Sequence, residues 1–220
     1  MATAAKLFLG IWMAAATVGA FLYLPPAQGF MDPDMARILA FHLPNAMVVM
    51  IAAVASGVFA WRYLARGRNL LDDSKSMVAA ALATLFCLLT TVTGMVFAHV
   101  QWGAAWNWDP KQTCIFVLLL IYTAYFVLRA GIDDPDRRAA VSAVYFLFAS
   151  VMTPMLGYLI PKYLAPLSLH PKQASLSPEY HTVVWSFTAG LIGIYAWLQN
   201  IGVRLERVRL TLDAREAEDE

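Results

Sequence analysis

Six stretches of this sequence are apolar for about 20 residues each, the length of helix that crosses a hydrocarbon core of about 30 Å. They run from Leu7 to Leu24, from about Ile38 to Trp61, and from Ser76 to Ala98. The fourth follows Asp109-Pro110 and ends before Arg129, the fifth is Ala139 to Ile160, and the sixth is Thr182 to Val203. They are too long for strands and lack the alternation of a membrane β-barrel. With 60% hydrophobic and only 14% charged residues, against roughly a quarter charged in a soluble domain, the chain is neither disordered nor a nucleic-acid-binding domain. The expectation is an all-α integral membrane protein, a bundle of six transmembrane helices with little mass outside the bilayer. Thr153-Pro154 predicts a kink in the fifth span. The first run exceeds the roughly 7–15 apolar residues of a signal-peptide core, so it reads as a retained helix.

The net charge of +1 conceals an asymmetry. Lys6, Arg62, Arg66, Arg68, Lys75, Arg129, Arg137, Arg138, Arg204, Arg207, Arg209 and Arg215 fall on one side of the predicted membrane, and only Arg37, Lys111, Lys162 and Lys172 on the other. The positive-inside rule makes the first side cytoplasmic. Both termini are then inside, residues 1–203 form the membrane domain, and residues 204–220 form a charged cytoplasmic tail read as a helical extension. The outer segments are about 25–37, 99–112 and 161–181. No ionisable residue is predicted mid-membrane, which argues against a pump or proton-coupled transporter.

All four histidines fall in or beside the outer segments: His42 one turn into the second span, His99 at the end of the third, His170 in the last outer loop, and His181 opening the sixth span. Neutral imidazole is a common ligand of transition metals, haem iron included. The middle outer segment holds Trp102, Trp106 and Trp108 within seven residues. Single tryptophans favour the headgroup zone, but a cluster of indoles also suits a large planar apolar ligand. Asp109-Pro110 is a helix start, with Asp as N-cap and Pro at the first helical position. Arg37 is a snorkelling residue or a partner for a ligand carboxylate, and Asp32 and Asp34 read as solvated loop acids. Cys87 and Cys114 lie in apolar runs with no CxxC or CxxCH, so they read as buried residues, with no thiol site for covalent haem attachment.

The loop from Trp102 to Thr113 resembles the tryptophan-rich signature WGxxWxWD[AP][RK]xT of the haem-handling proteins of cytochrome c maturation. Six spans, short loops and both ends inside resemble the CcmC branch of that family. Phe41-His42-Leu43-Pro44 resembles the family's HVP element, and Leu169-His170-Pro171 its LHQ element. The resemblance implies non-covalently bound haem b at the outer membrane face, with His42 and His170 as axial ligands and Trp102, Trp106, Trp108 and Asp109 as the platform; Arg37 joins them as candidate partner of a haem propionate. It implies a bacterial inner-membrane protein that hands haem to a periplasmic chaperone of the CcmE type. The partners are ABC-transporter subunits of the CcmA and CcmB type and a small CcmD-type membrane protein. Such a protein positions cargo more than it catalyses, and the chain shows no acid–base pair or nucleophile. Three features depart from the pattern. Ala105 stands where the branch has a second Trp. Pro110-Lys111 resembles the CcsA branch of cytochrome c synthases. Pro171 replaces Gln, which keeps His181 open as second ligand. The alternatives are a CcsA-type synthase and a haem-b electron-transfer subunit, though the latter carries its ligands deep within helices.

Overall fold

In this computed structural model, residues 3–170 and 176–219 are described. Six helices are long and apolar enough to cross a membrane, and the chain is a multi-pass membrane protein. They are α1 (Thr3–Leu22), α2 (Leu39–Ala65), α3 (Leu70–Trp102), α4 (Pro110–Ala130), α5 (Pro135–Pro154) and α7 (Pro178–Asp219). Between α5 and α7 lie a π-helical turn (Met155–Leu159), the four-residue α6 (Ile160–Tyr163) and a 3-10 turn (Ala165–Leu167). A further 3-10 turn, Met35–Ile38, leads into α2.

The helices alternate in direction, and cross-helix contacts fix their register. Ser56 Oγ donates to the Ser76 carbonyl at 2.8 Å between α2 and α3. Tyr122 Oη meets Thr153 Oγ1 at 2.7 Å between α4 and α5. Gln199 Nε2 donates to the Lys75 carbonyl at 2.9 Å between α7 and α3, and Trp12 Nε1 to Ser186 Oγ at 2.9 Å between α1 and α7. These are polar ties between helices whose outward faces are apolar: Leu22, Ile11 and Val127 are 83%, 70% and 68% exposed. Side chains of this kind suit lipid, where hydrocarbon replaces water as the surrounding solvent. Inside, Val48, Ala52, Ala83, Leu118, Tyr122 and Phe146 form one core.

Alternation gathers the starts of α2, α4 and α7 and the ends of α3 and α5 at one end of the bundle. His42, His99, the tryptophan loop, His170 and His181 are all there. The opposite end carries most of the basic residues. The ends of α3 and α4 follow their local signals. Gly103 caps α3 in the left-handed region (φ 80°), its N–H bonded to the His99 carbonyl, a conformation glycine takes without steric cost. Asp109 caps α4 by accepting from the Lys111 N–H.

Three elements add detail to the sequence expectation. The predicted kink in the fifth span is a π-turn directly after Pro154, a form that proline favours by removing one helical donor. The last helix runs unbroken from Pro178 to Asp219, about 63 Å at 1.5 Å per residue, so no break marks the boundary at 203–204. Asp72 and Asp73, which precede the third apolar run, are helical and buried. Asp73 receives a two-pronged pair from Arg129 at 2.7 and 2.9 Å, and Asp72 pairs with Lys75 at 2.8 Å and Arg62 at 3.7 Å.

The Asp73–Arg129 pair joins α3 to α4 in a site where each side chain is only about a tenth exposed. Removing one partner leaves the other charge uncompensated, at a cost of about 3–5 kcal/mol. Asp73→Ala is expected to lower thermal stability in detergent micelles by that order, and Asp73→Ala with Arg129→Met to recover much of it. Unchanged melting of the single variant would contradict this reading.

Candidate functional site

The site is built from four chain segments at the histidine end: the first turns of α2, the last turns of α3, the tryptophan loop with the start of α4, and residues 155–170. They enclose two adjoining cavities of about 340 and 510 Å³. Both cavities are lined by His42, His170, Lys111, Gly157 and Tyr158. Trp102, Trp106, Met50 and Met95 line the first, which is mostly apolar. Phe30, Phe97, Lys162 and Ser168 line the second. Their sizes lie in the range of small-molecule and cofactor sites, roughly 300–1,000 Å³.

Asp109 organises the loop side. Its carboxylate accepts four hydrogen bonds: Oδ1 from the Lys111 N–H at 2.8 Å and from His170 Nδ1 at 2.9 Å, Oδ2 from Ser168 Oγ at 2.7 Å and from the Leu169 N–H at 2.6 Å. The residue is 3% exposed. Burial disfavours its charge, but the bonds from Ser168 and the Lys111 amide, with the nearby His170 and the Leu169 amide, hold its pKa below the usual carboxylate range. An ionised carboxylate only accepts, so His170 Nδ1 carries the proton in this contact. Burial, with Lys111 nearby, lowers the His170 pKa to about 4 despite the opposing pull of Asp109. The contact is therefore a hydrogen bond from a neutral ring, not an ion pair, and Nε2 is left as a bare acceptor. A histidine backed by a carboxylate and offering its other nitrogen is the arrangement metal-binding imidazoles use.

His42 reaches the same cavities from α2. Its Nδ1 lies 3.1 Å from Thr93 Oγ1 on α3. Nε2 of each ring has no hydrogen-bond partner among the described residues. Pro44 is fully buried one turn into α2, and Asn45 Nδ2 donates back to the Phe41 carbonyl at 2.9 Å beside it.

The tryptophans are not one flat platform. Trp102 packs edge-on against the His170 ring, centroids 4.8 Å apart, and against Phe97 at 5.4 Å. Trp106 stands perpendicular to Trp108 at 5.7 Å. Trp102 and Trp106 face the first cavity. Trp108 lines neither cavity; it is 70% exposed and left-handed at φ 53°, a strained conformation for a bulky residue. Asp109 is not part of an aromatic surface but the clamp between that loop and His170. Arg37 also lies apart from the cavities: Nε donates to the Leu24 carbonyl at 3.1 Å, and the guanidinium pairs with Asp34 at 3.1 Å. Asp32 takes part in a backbone clasp with Gln101, at 3.1 and 2.8 Å. His181 is exposed and lines neither cavity. Pro171 lies outside the described residues.

Sequence reasoning missed Gln112, Lys111 and Lys162 as site residues. Buried Gln112 accepts from the Asn107 N–H at 2.8 Å and donates to the Ala105 carbonyl at 3.1 Å, pinning the loop. The Pro-Lys-Gln-Thr start of α4 carried the signal, since a polar residue one turn into an apolar helix has its hydrogen bonds to satisfy. Lys162 carries no sequence signal beyond its charge, and Lys111 only its place in the tryptophan signature.

Together these features define a multi-pass membrane protein with two histidines lining the same pair of cavities beside an aromatic loop. The profile of the heme exporter protein C family (CcmC) matches residues 1–220, and the chain belongs to that family. It is 30% identical over 158 residues to a heme exporter protein C of Bradyrhizobium diazoefficiens, covering 67% of this chain and 57% of that protein. It is 25% identical over 198 residues to the protein of the same description from Paracoccus denitrificans, covering 84% of this chain and 81% of that one. A cytochrome c biogenesis protein CcsA of Prochlorococcus marinus is 42% identical over 65 residues, 29% of this chain and 21% of that protein.

The Leu169 amide reports directly on the clamp. Asp109→Asn converts a charge-assisted bond into a neutral one and offers a donor where only an acceptor fits. Since bonds to charged groups contribute about 1.5–3 kcal/mol, hydrogen exchange at the Leu169 N–H is expected to accelerate by about tenfold or more. Unchanged protection would show that the loop is held without Asp109.

Proposed function

We propose that this protein holds haem as cargo at the outer face of the bacterial cytoplasmic membrane and presents it to a periplasmic haem chaperone of the CcmE type during cytochrome c biogenesis. One observation carries the reading: two imidazoles, each held through Nδ1, line the same pair of cavities and leave Nε2 without a side-chain partner among the described residues. An unpartnered nitrogen in an apolar setting is unfavourable by itself, and iron with two open axial positions satisfies both. Haem b supplies that iron in a planar apolar macrocycle with two carboxylates, without a covalent bond to the protein.

The surroundings fit such cargo. Trp102, Trp106, Met50 and Met95 offer apolar and aromatic surface to a macrocycle. Lys111 and Lys162 line the more polar second cavity and supply cations for carboxylates, a role in which Arg37 is already engaged by Asp34 and Leu24. The positive-inside rule places the arginine-rich end in the cytoplasm and the histidine end outside, where a periplasmic acceptor reaches it. Trp108, exposed beside Trp106, is suited to meet that acceptor at the mouth of the site. Relatives named heme exporter protein C support the same cargo. ABC-transporter subunits of the CcmA and CcmB type and a small CcmD-type protein complete the proposed assembly and supply the energy for release. The chain's own part is to bind and orient rather than to catalyse.

Protein purified from haem-replete membranes, with the chaperone and transporter subunits co-expressed, is expected to show a Soret band. His42→Ala and His170→Ala should each abolish or shift that band while melting temperature and oligomeric state stay as in the wild type. His181→Ala should leave it unchanged, and Trp106→Ala should impair handover to the chaperone. A wild-type Soret band in both ligand variants would overturn the assignment.

A further inference from the structure

His170 is oriented by an anion, whereas His42 has no carboxylate nearby. Its side-chain hydrogen bond is to Thr93 Oγ1 at 3.1 Å, and the Thr90 carbonyl also lies close to the ring. The Thr93 hydroxyl is already committed. It donates to the Leu89 carbonyl one turn back on α3 at 2.7 Å, with the Thr90 carbonyl a longer second acceptor at 3.2 Å. A hydroxyl has one proton and two lone pairs, so toward His42 it acts as acceptor, and His42 Nδ1 is the donor. The next residue, Gly94, sets where the ring lies. A Cβ there would stand 3.0 Å from His42 Cε1, tighter than ordinary van der Waals contact, and 3.5 Å from Nδ1. Gly94 itself lines the first cavity beside His42.

The geometry points to Thr93 and Gly94 as the positioning pair for His42, the hydroxyl fixing its Nδ1–H tautomer and the missing side chain fixing its ring rotation, so that Nε2 faces the cavity. This inference rests on the haem reading and adds to it. The hydrogen-bond acceptor makes the imidazole a stronger donor toward iron, and a carbonyl four residues away relays that polarity through the hydroxyl. The two axial positions are thereby unequal. His170 is backed by a full negative charge, His42 by a neutral hydroxyl, and such backing tunes the potential of bound haem.

The test compares Thr93→Val, Thr93→Ser and Gly94→Ala with wild type and with His42→Ala. In haem-free protein, ¹⁵N-histidine NMR is expected to show His42 in the Nδ1–H tautomer in wild type and Thr93→Ser, and a tautomer mixture in Thr93→Val. On titration with haemin, Thr93→Val should bind about 10–100-fold more weakly, the usual effect of removing such a partner. Its midpoint potential should rise, because a less basic ligand stabilises ferric iron less. Thr93→Ser should restore both, and Gly94→Ala should lower the low-spin fraction. Valine is nearly isosteric, and the bond it removes within α3 is a side-chain bond back to the backbone, so melting should stay near wild type. Wild-type tautomer, affinity and potential in Thr93→Val would overturn the inference. Wild-type haem binding by His42→Ala would instead overturn the haem reading beneath it.

Discussion

The four hydrogen bonds received by the Asp109 carboxylate tie the site together. One residue caps α4, holds the segment before His170 through Ser168 and Leu169, and fixes the tautomer of His170. Without it, the tryptophan loop and the segment leading to His170 have no shared polar anchor among the described residues. The carboxylate is stable as an anion at 3% exposure because its partners are supplied by backbone and hydroxyl groups in place of water. Such a group costs much to bury unpaired and little when fully paired, so the loop has a strong preference for one arrangement. The histidine inherits that order.

The two ends of the bundle solve opposite problems. At the arginine end, Asp72 and Asp73 are matched with Arg62, Lys75 and Arg129, so buried charge is neutralised by charge. At the histidine end, two imidazoles line the cavities, and the cations Lys111 and Lys162 make no salt bridge among the described residues. At the first end the buried carboxylates have cationic partners. On the reading proposed above, the second would be completed by a ligand that brings an electron-pair acceptor for nitrogen and negative charge for the lysines.

The apolar runs made six helices legible because a bilayer fixes their length and composition. Pro154 announced a distortion, although not its form, a π-turn over Met155–Leu159. The Asp109-Pro110 helix start was legible as well, since capping is local. Its second role was not, because Ser168 and Leu169 are about sixty residues away and only packing brings them together. For the same reason the sequence leaves Arg37 open between a snorkelling residue and a partner for a ligand carboxylate, while the fold sets it against Asp34 and the Leu24 carbonyl. Trp108 looked equal to Trp102 and Trp106 in the loop, yet a left-handed backbone turns it outward. The sequence put Thr93 in an ordinary apolar helix, and nothing local marked it as facing His42.

The central claim is that one haem iron sits between His42 and His170. Low-temperature EPR with near-infrared magnetic circular dichroism on the ferric haem-loaded wild-type protein tests it most directly. The account predicts a low-spin centre with the charge-transfer signature of two neutral imidazole ligands. A high-spin centre with a single nitrogen ligand, or a methionine or thiolate signature in a low-spin one, would contradict it.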